Sequence, residues 1–266
     1  MRNLNLVSEE KGVRHWEFSG TDTDLSVHIP KEEKIPVQSL IVSDLHLGTL
    51  AFKARPFLAM LNTFWIQQHF ILLGDIFEDE DFRRLSGPHW KVLSRIRKMT
   101  NPDNPLEEIW IEGNHDNAVM VGVIGSLVGL EVQKEFIWEC GGKKYLAIHG
   151  DIFHWFLMRY PVMAKIVTWM YSFVQTIDPY HKHIGNYLAK KAGEWNGEHN
   201  AVAEGAAHYG KCKEVDFIIC GHTHLAMRRQ FEEIEYLNSG CWVKNPCSFI
   251  TITEEHGPIL NYVQLL

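Results

Sequence analysis

Five short motifs rich in carboxylate, amide and imidazole groups occur in order along the chain: Asp44-Leu45-His46, Gly74-Asp75-Ile76-Phe77-Glu78, Gly113-Asn114-His115-Asp116, His149-Gly150-Asp151 and Gly221-His222-Thr223-His224. Together they supply enough oxygen and nitrogen donors for two adjacent metal ions, with one histidine left over. Such donors are intermediate to hard and suit Mn, Fe or Zn, and no motif holds a thiolate that would favour a softer ion. Two cations roughly 3.5–4 Å apart can clamp the oxygens of a phosphoryl group and bring the pKa of water from roughly 15.7 towards about 7. Taken singly, each motif has a plainer reading: Asp44 as a turn residue, Asp75 as a cap after Gly74, His149 as a core histidine. The ordered set points to chemistry.

The motifs also share a setting. Four of them follow apolar runs that read as strands, Ser39 to Val42, Phe70 to Leu73, Ile109 to Ile111 and Phe217 to Ile219, and the His149 motif follows Tyr145 to Ile148 in the same way. Strands that end in polar donors are the pattern of a sheet whose loops build a site. Ala54 to His69 and His89 to Met99 have the apolar spacing of helices and alternate with these strands. Strands around Glu235 to Leu237, Ser248 to Thr253 and Leu260 to Leu265 are expected to complete a second sheet. Ahead of the motifs, residues 1–36 read as an added hairpin built from Val13 to Phe18 and Leu25 to Val27.

These motifs resemble the calcineurin-like metallophosphoesterases, whose pattern is D-x-H, G-D-x-x-[DE], G-N-H-[DE], a later His before Gly, and G-H-x-H. The match runs from Asp44 to His224. It implies an α/β fold of two sheets packed as a sandwich, flanked by helices, as one domain over residues 1–266. Carried over by position, it places one metal on Asp44, His46, Asp75 and His224, and the other on Asp75, Asn114, His149 and His222, with Asp75 bridging. Mn2+ is the expected ion, with Fe, Zn or Co also fitting. The nucleophile is then metal-bound hydroxide, with no covalent phosphoenzyme. His115 is left to face the scissile phosphate, where it can donate a proton or stabilise charge, with Asp116 either orienting its imidazole or capping the loop. Glu78 matches the second acid after Gly-Asp and is expected to support the ligands rather than to ligate.

Residues 152–210, between the fourth and fifth motifs, read as a helical cap that opens on an apolar aromatic segment from Ile152 to Phe173, interrupted by Arg159, Pro161 and Lys165. Those interruptions argue against a membrane span but allow an interfacial helix or an acyl-binding cover, alongside an ordinary buried helix pair. With Tyr236-Leu237-Asn238-Ser239-Gly240-Cys241-Trp242-Val243 after the last motif, the insertion resembles the UDP-2,3-diacylglucosamine diphosphatase-like branch. That resemblance implies cleavage of the pyrophosphate of a lipid-linked nucleotide, releasing UMP and a lipid monophosphate. The chain has His115 where the lipid A enzymes of that branch have Arg, and Cys241 where relatives often have Asp. Lys53 and Arg55, after the first motif, and Arg83 and Arg84, after the second, are candidate grips for the rest of a substrate.

Composition narrows the partners. At 266 residues and 45% hydrophobic, the chain can bury a substantial core. A formal charge of −7 argues against polymeric nucleic acid, whose binders carry a basic excess, but not against a small phosphorylated substrate. Five cysteines without a C-x-x-C pair favour a reduced, cytoplasmic setting, with peripheral membrane association through the cap as a further expectation. Two other functions share the motifs: a phosphodiesterase of cyclic or other nucleotides, and a non-catalytic scaffold of the same fold. Loss of ligands would mark the scaffold, and none is missing.

Overall fold

The computed structural model describes residues 4–19, 31–99, 106–116, 118–128, 130–153 and 197–266. Among the described residues, thirteen strands form two sheets. The larger, in spatial order, contains β1 (Leu4–Glu10), β2 (Val13–Phe18), β13 (Gly257–Leu265), β12 (Cys247–Thr253), β3 (Ile35–Val42), β4 (Phe64–Leu73), β5 (Glu107–Ile111) and β6 (Glu131–Gln133). The smaller contains β10 (Met227–Phe231), β11 (Ile234–Asn238), β9 (Phe217–Cys220), β8 (Lys143–Ile148) and β7 (Glu135–Cys140). Helices α1 (Ala54–Thr63), α2 (Gly87–Met99), α3 (Ala118–Val128) and α4 (Gly197–Cys212), with short 3-10 turns at Lys31–Glu33, Phe82–Arg84 and Asp151–Phe153, complete the described elements.

Side-chain alternation along the strands builds the layers. In β3 and β4, Leu40, Val42, Phe70 and Leu72 face one apolar cluster with Phe57, Met60, Val92 and Ile96 of α1 and α2. Their neighbours Ile41, Ile71 and Leu73 point the other way, onto Tyr145, Ala147, Ile219 and Leu237 of the smaller sheet. On its far face that sheet packs Leu146, Ile148 and Ile218 against Val202, Ala203 and Ala206 of α4. The period-2 pattern of a strand buried on both faces thus gives a helix–sheet–sheet–helix sandwich, the expected fold class.

Four sequence expectations change. The smaller sheet takes only β11 of the three late strands, because β12 and β13 pair antiparallel with each other and β12 continues onto β3. The helix expected to reach His69 stops at Thr63, since Phe64, Trp65 and Ile66 pair with Ile35, Pro36 and Val37, a use to which aromatic and β-branched residues are suited. The N-terminal hairpin is β1 with β2, and β2 runs parallel to β13; Leu25 to Val27 lie outside the described residues. Finally, the end of the expected cap belongs to the core, because α4 forms an outer layer. Of the cap's opening segment only Ile152 and Phe153 are described, with Phe153 buried against α4; Trp155 to Phe173 lie outside the described residues. No helix among the described residues is long and apolar enough to cross a membrane.

One buried group away from the motifs is out of balance. Glu108 on β5 is 7% exposed and neither carboxylate oxygen has a hydrogen-bond partner among the described residues. Burial pushes its pKa up to about 8, against the pull of Arg95 and Arg97. A folded-state pKa above the unfolded one costs an acid stability as pH rises from the ordinary carboxylate range through about 8. Glu108→Gln is therefore expected to melt above the wild type at about pH 9, the gap closing as pH falls below about 4.5. Thermal melts across that range check it; a constant gap would contradict it.

Candidate metal centre

The parallel strands β3, β4 and β5, and the parallel pair β8 and β9, all release their motifs at their carboxyl ends, the usual place for a site in sheets of this kind. The first two motif loops continue the pairing of their strands: Asp44 N donates to Gly74 O (3.1 Å), His46 N to Asp75 O (3.0 Å) and Leu47 N to Ile76 O (2.8 Å). On the other sheet, Gly221 N donates to His149 O (3.0 Å). Asp44 then links the loops, its side chain accepting from His222 N at Oδ2 (3.0 Å) and its carbonyl from Trp242 N (3.2 Å).

At the ends of these strands the backbone turns sharply. Asp44, His46, Asp75, His222 and His224 have φ of 52, 48, 52, 67 and 56°. This left-handed region is uncommon outside glycine and costs on the order of 1–3 kcal/mol per residue, which the surrounding hydrogen bonds must hold. It aims successive donors into one gap instead of onto opposite faces of a strand. Motif glycines make room: a Cβ on Gly221 would lie 2.6 Å from Asp44 Oδ2, and one on Gly74 would overlap the His149 ring.

Donor atoms of Asp44, His46, Asp75 and His224 all lie within 4.8 Å of one another, and so do those of Asp75, His149 and His222. Asn114 Oδ1 joins the second group, 2.9 Å from His222 Nδ1 and 3.3 Å from His149 Nε2. All seven expected metal residues are thus brought together, with Asp75 common to both groups. Their tautomers suit cations. His149 Nδ1 is 2.9 Å from the Leu73 carbonyl, so that ring keeps a proton there and turns its Nε2 to the gap, whereas His46 Nδ1 lies 2.9 Å from Glu78 Oε2 without hydrogen-bonding geometry. His46 Nε2 and His224 Nε2 face each other at 3.0 Å, beside Asp44 Oδ1, itself 3.0 Å from His224 Nε2. Oxygen and nitrogen lone pairs converging in this way, those of Asp44, His46, Asp75 and His149 buried, fit two divalent cations of the Mn, Fe or Zn type.

Charge in the metal-free site follows the same geometry. Burial pushes the Asp75 carboxyl up, but His149 and the His115 backbone N–H outweigh it and hold the group well below the usual carboxylate range. For His149, burial acts downward, yet Asp75 and Asp44 raise its pKa to about 9. His224 is raised to about 10 against burial, by Asp44 and then Cys241. Burial and the neighbouring His224 charge lower His46. In the metal-free fold, His149 and His224 give stability that is complete below the unfolded pKa of about 6.5 and lost as pH rises through about 9 and 10. A cation must displace both protons. Affinity for Mn2+ is expected to tighten as pH rises from about 6 to 8, with proton release seen by calorimetry in buffers of different ionisation enthalpy; pH-independent binding without proton release would contradict this.

The remaining expected residues divide. His115 is exposed at the mouth of the gap, its ring 5.0 Å from that of His46, and its Nδ1 is 3.0 Å from the Glu78 carbonyl. Asp116 does not orient it. The Asp116 carboxylate is buried, accepting from Ile76 N (3.2 Å), Phe77 N (3.4 Å), Trp110 Nε1 (3.2 Å) and Gly113 N (3.1 Å), so it ties the second motif loop to the third. Burial raises its pKa to about 6. Arg83 and Arg84, expected to grip substrate, are instead paired with Asp81 and Asp79 of their own loop, which balance their charge. Lys53 and Arg55 line a cleft of about 680 Å³ with Phe18, Leu50, Phe52 and Leu265.

Asn238 was not singled out from sequence. It is buried and its Nδ2 faces Gly221 O (2.6 Å) and Thr223 Oγ1 (3.2 Å), bracing the turn that carries His222 and His224. Its place in the Tyr236 to Val243 segment was the available signal, but only folding shows what it touches.

The model of the calcineurin-like phosphoesterase superfamily domain matches residues 37–255. A search of curated proteins finds no match. Among solved structures, the chain is similar to wild-type Vps29 from Entamoeba histolytica complexed with Zn2+, at 16% identity over 80% of this chain and 84% of that one, with a TM-score of 0.41. It is similar also to YfcE, a phosphoesterase from E. coli (17% identity, 83% and 96% covered, TM-score 0.42). A third is an archaeal phosphodiesterase (14% identity, 84% and 98% covered, TM-score 0.42).

Proposed function

The chain belongs to the calcineurin-like phosphoesterase superfamily, and from that premise we propose that it hydrolyses a phosphoanhydride or phosphoester at a centre of two divalent cations, with Mn2+ as the expected ion. The observation that carries the proposal is the pair of donor groups sharing Asp75. When bound, the cations supply Lewis acidity towards the phosphoryl oxygens and a water acidic enough to lose its proton near neutral pH. The residues do the rest. Asp75 holds both halves of the site, and Asp116 keeps their loops in register. With Nδ1–H donated to the Glu78 carbonyl, it is the imidazolium form of His115 that has a second proton, on Nε2, to pass to the departing oxygen.

For the substrate, the finer reading is the pyrophosphate of a lipid-linked nucleotide of the UDP-2,3-diacylglucosamine kind. The cleft supports an amphipathic molecule, since Leu50, Phe52 and Leu265 offer apolar surface beside the cations Lys53, on the loop that leaves His46, and Arg55, in the first turn of α1. Peripheral contact with a membrane belongs to this same reading.

Hydrolysis by Mn-loaded protein of UDP-diacylglucosamine, bis-p-nitrophenyl phosphate, p-nitrophenyl phosphate and cyclic AMP tests it. Release of UMP far above turnover of the others is the expected result. Turnover of the other substrates alone would remove the lipid reading, and silence throughout with both cations bound would overturn the enzyme.

A further inference from the structure

Taking further the membrane contact that belongs to the lipid-linked reading, we propose that the outer face of α2 is a docking surface for an anionic lipid bilayer. The helix is built for two environments. His89, Val92 and Ile96 are buried, whereas Trp90, Lys91, Ser94, Arg97 and Lys98 are exposed, and the 3.6-residue repeat gathers those five into one stripe on the opposite side. The 13 residues of α2 include no Asp or Glu, in a chain whose net charge is −7. The acids just ahead of the helix do not offset the stripe, because Asp79 and Asp81 are paired with Arg84 and Arg83. Among the described residues, Lys91 and Lys98 form no ion pair.

A bilayer fits this face better than an acidic protein does. Trp90 is 53% exposed, and an indole, apolar in its ring and polar at its N–H, suits the headgroup level of a membrane. Leu50, at 98% the most exposed large apolar side chain among the described residues, lines the same cleft as Ser86, Pro88 and His89 at the start of α2. Lys53 lines it too, so cationic and apolar groups continue from the stripe into the cleft. The net charge of the chain does not oppose docking at physiological salt. Charges are screened over about 8 Å, and the stripe from Trp90 to Lys98 runs for about 12 Å, so the bilayer responds to the face that meets it. Docking there brings the cleft to the surface in which a lipid-linked substrate is held.

Sedimentation of the full chain with substrate-free vesicles tests the proposal. The chain should bind vesicles of equal parts phosphatidylcholine and phosphatidylglycerol, should ignore phosphatidylcholine alone, and should be released by salt. Lys91→Ser combined with Lys98→Ser should lose about 30-fold in affinity, the usual effect of removing two cations from such a contact. Lys134→Ser combined with Lys211→Ser, an equal loss of exposed charge away from α2, should stay within a few-fold. Brominated phosphatidylglycerol should quench tryptophan fluorescence, and Trp90→Phe should remove most of that quenching. Thermal melts verify that each variant is folded.

A wild type that ignores the mixed vesicles would overturn the proposal. So would equal losses in the two double variants, which would reduce the attraction to general charge, or full binding by the α2 variant, which would put the contact elsewhere. Retention on a glutamate-rich peptide without binding to vesicles would make the face a protein site instead. The substrate reading fails separately: a chain that docks through α2 but releases no UMP from UDP-diacylglucosamine keeps the docking face and loses that substrate, whereas one that releases UMP in detergent and ignores vesicles does the reverse.

Discussion

Asp75→Ala is expected to lose tight binding of both ions and to lower turnover by on the order of 10⁴-fold or more, since each cation contributes several kcal/mol to the transition state and each 1.36 kcal/mol is a factor of ten. No other residue is common to both donor groups. Its Oδ1 accepts from His115 N (2.8 Å) and its Oδ2 lies 3.4 Å from His149 Nε2. Alanine therefore also frees the third motif loop and leaves His149 buried without its carboxylate partner. Metal content after dialysis, measured with turnover of bis-p-nitrophenyl phosphate, checks both halves. An Asp75→Ala protein that retains two ions would refute the bridging assignment.

His115→Ala should separate binding from chemistry. The ring is exposed and stands outside both donor groups that share Asp75, so the variant should fold and keep both ions. Turnover of a substrate whose leaving oxygen needs a proton should fall by about 10²–10⁴-fold, the usual contribution of a positioned general acid. With p-nitrophenolate as leaving group the loss should be much smaller, because that anion departs without help. Equal losses on both substrates, or a variant without metal, would overturn the division of roles.

The legible part of this site was its donors. Asp44, Asp75 and His149 could be placed from sequence because each follows an apolar strand, and strands of a packed sheet deliver their ends to one edge. Sequence could not show that five donors sit at left-handed φ, since that backbone is held by hydrogen bonds between loops remote along the chain. Asp116 illustrates the same gap. Its neighbour in sequence is His115, but its carboxylate turns inward to Ile76, Phe77, Trp110 and Gly113, where three backbone N–H groups and an indole satisfy it.

Strand membership was likewise decided by pairing. β12 and β13 are apolar strands like β11, and the pairing of β12 with β3, not their composition, places them in the larger sheet. At Thr63 and Phe64 the apolar spacing fits helix and strand alike over a few residues, and register with Ile35 to Val37 settles the boundary. Arg83 and Arg84 were candidate substrate grips beside the plainer reading of a solvated charged surface, and Asp81 and Asp79, close by in sequence, are the partners they take.

The central claim is two cations held together by Asp75, and the electron paramagnetic resonance spectrum of the Mn-loaded chain at full occupancy tests it most directly. Two equivalents of Mn2+ giving a spin-coupled signal, absent from Asp75→Ala, is the result expected. Isolated single-ion signals from the fully loaded wild type would contradict it.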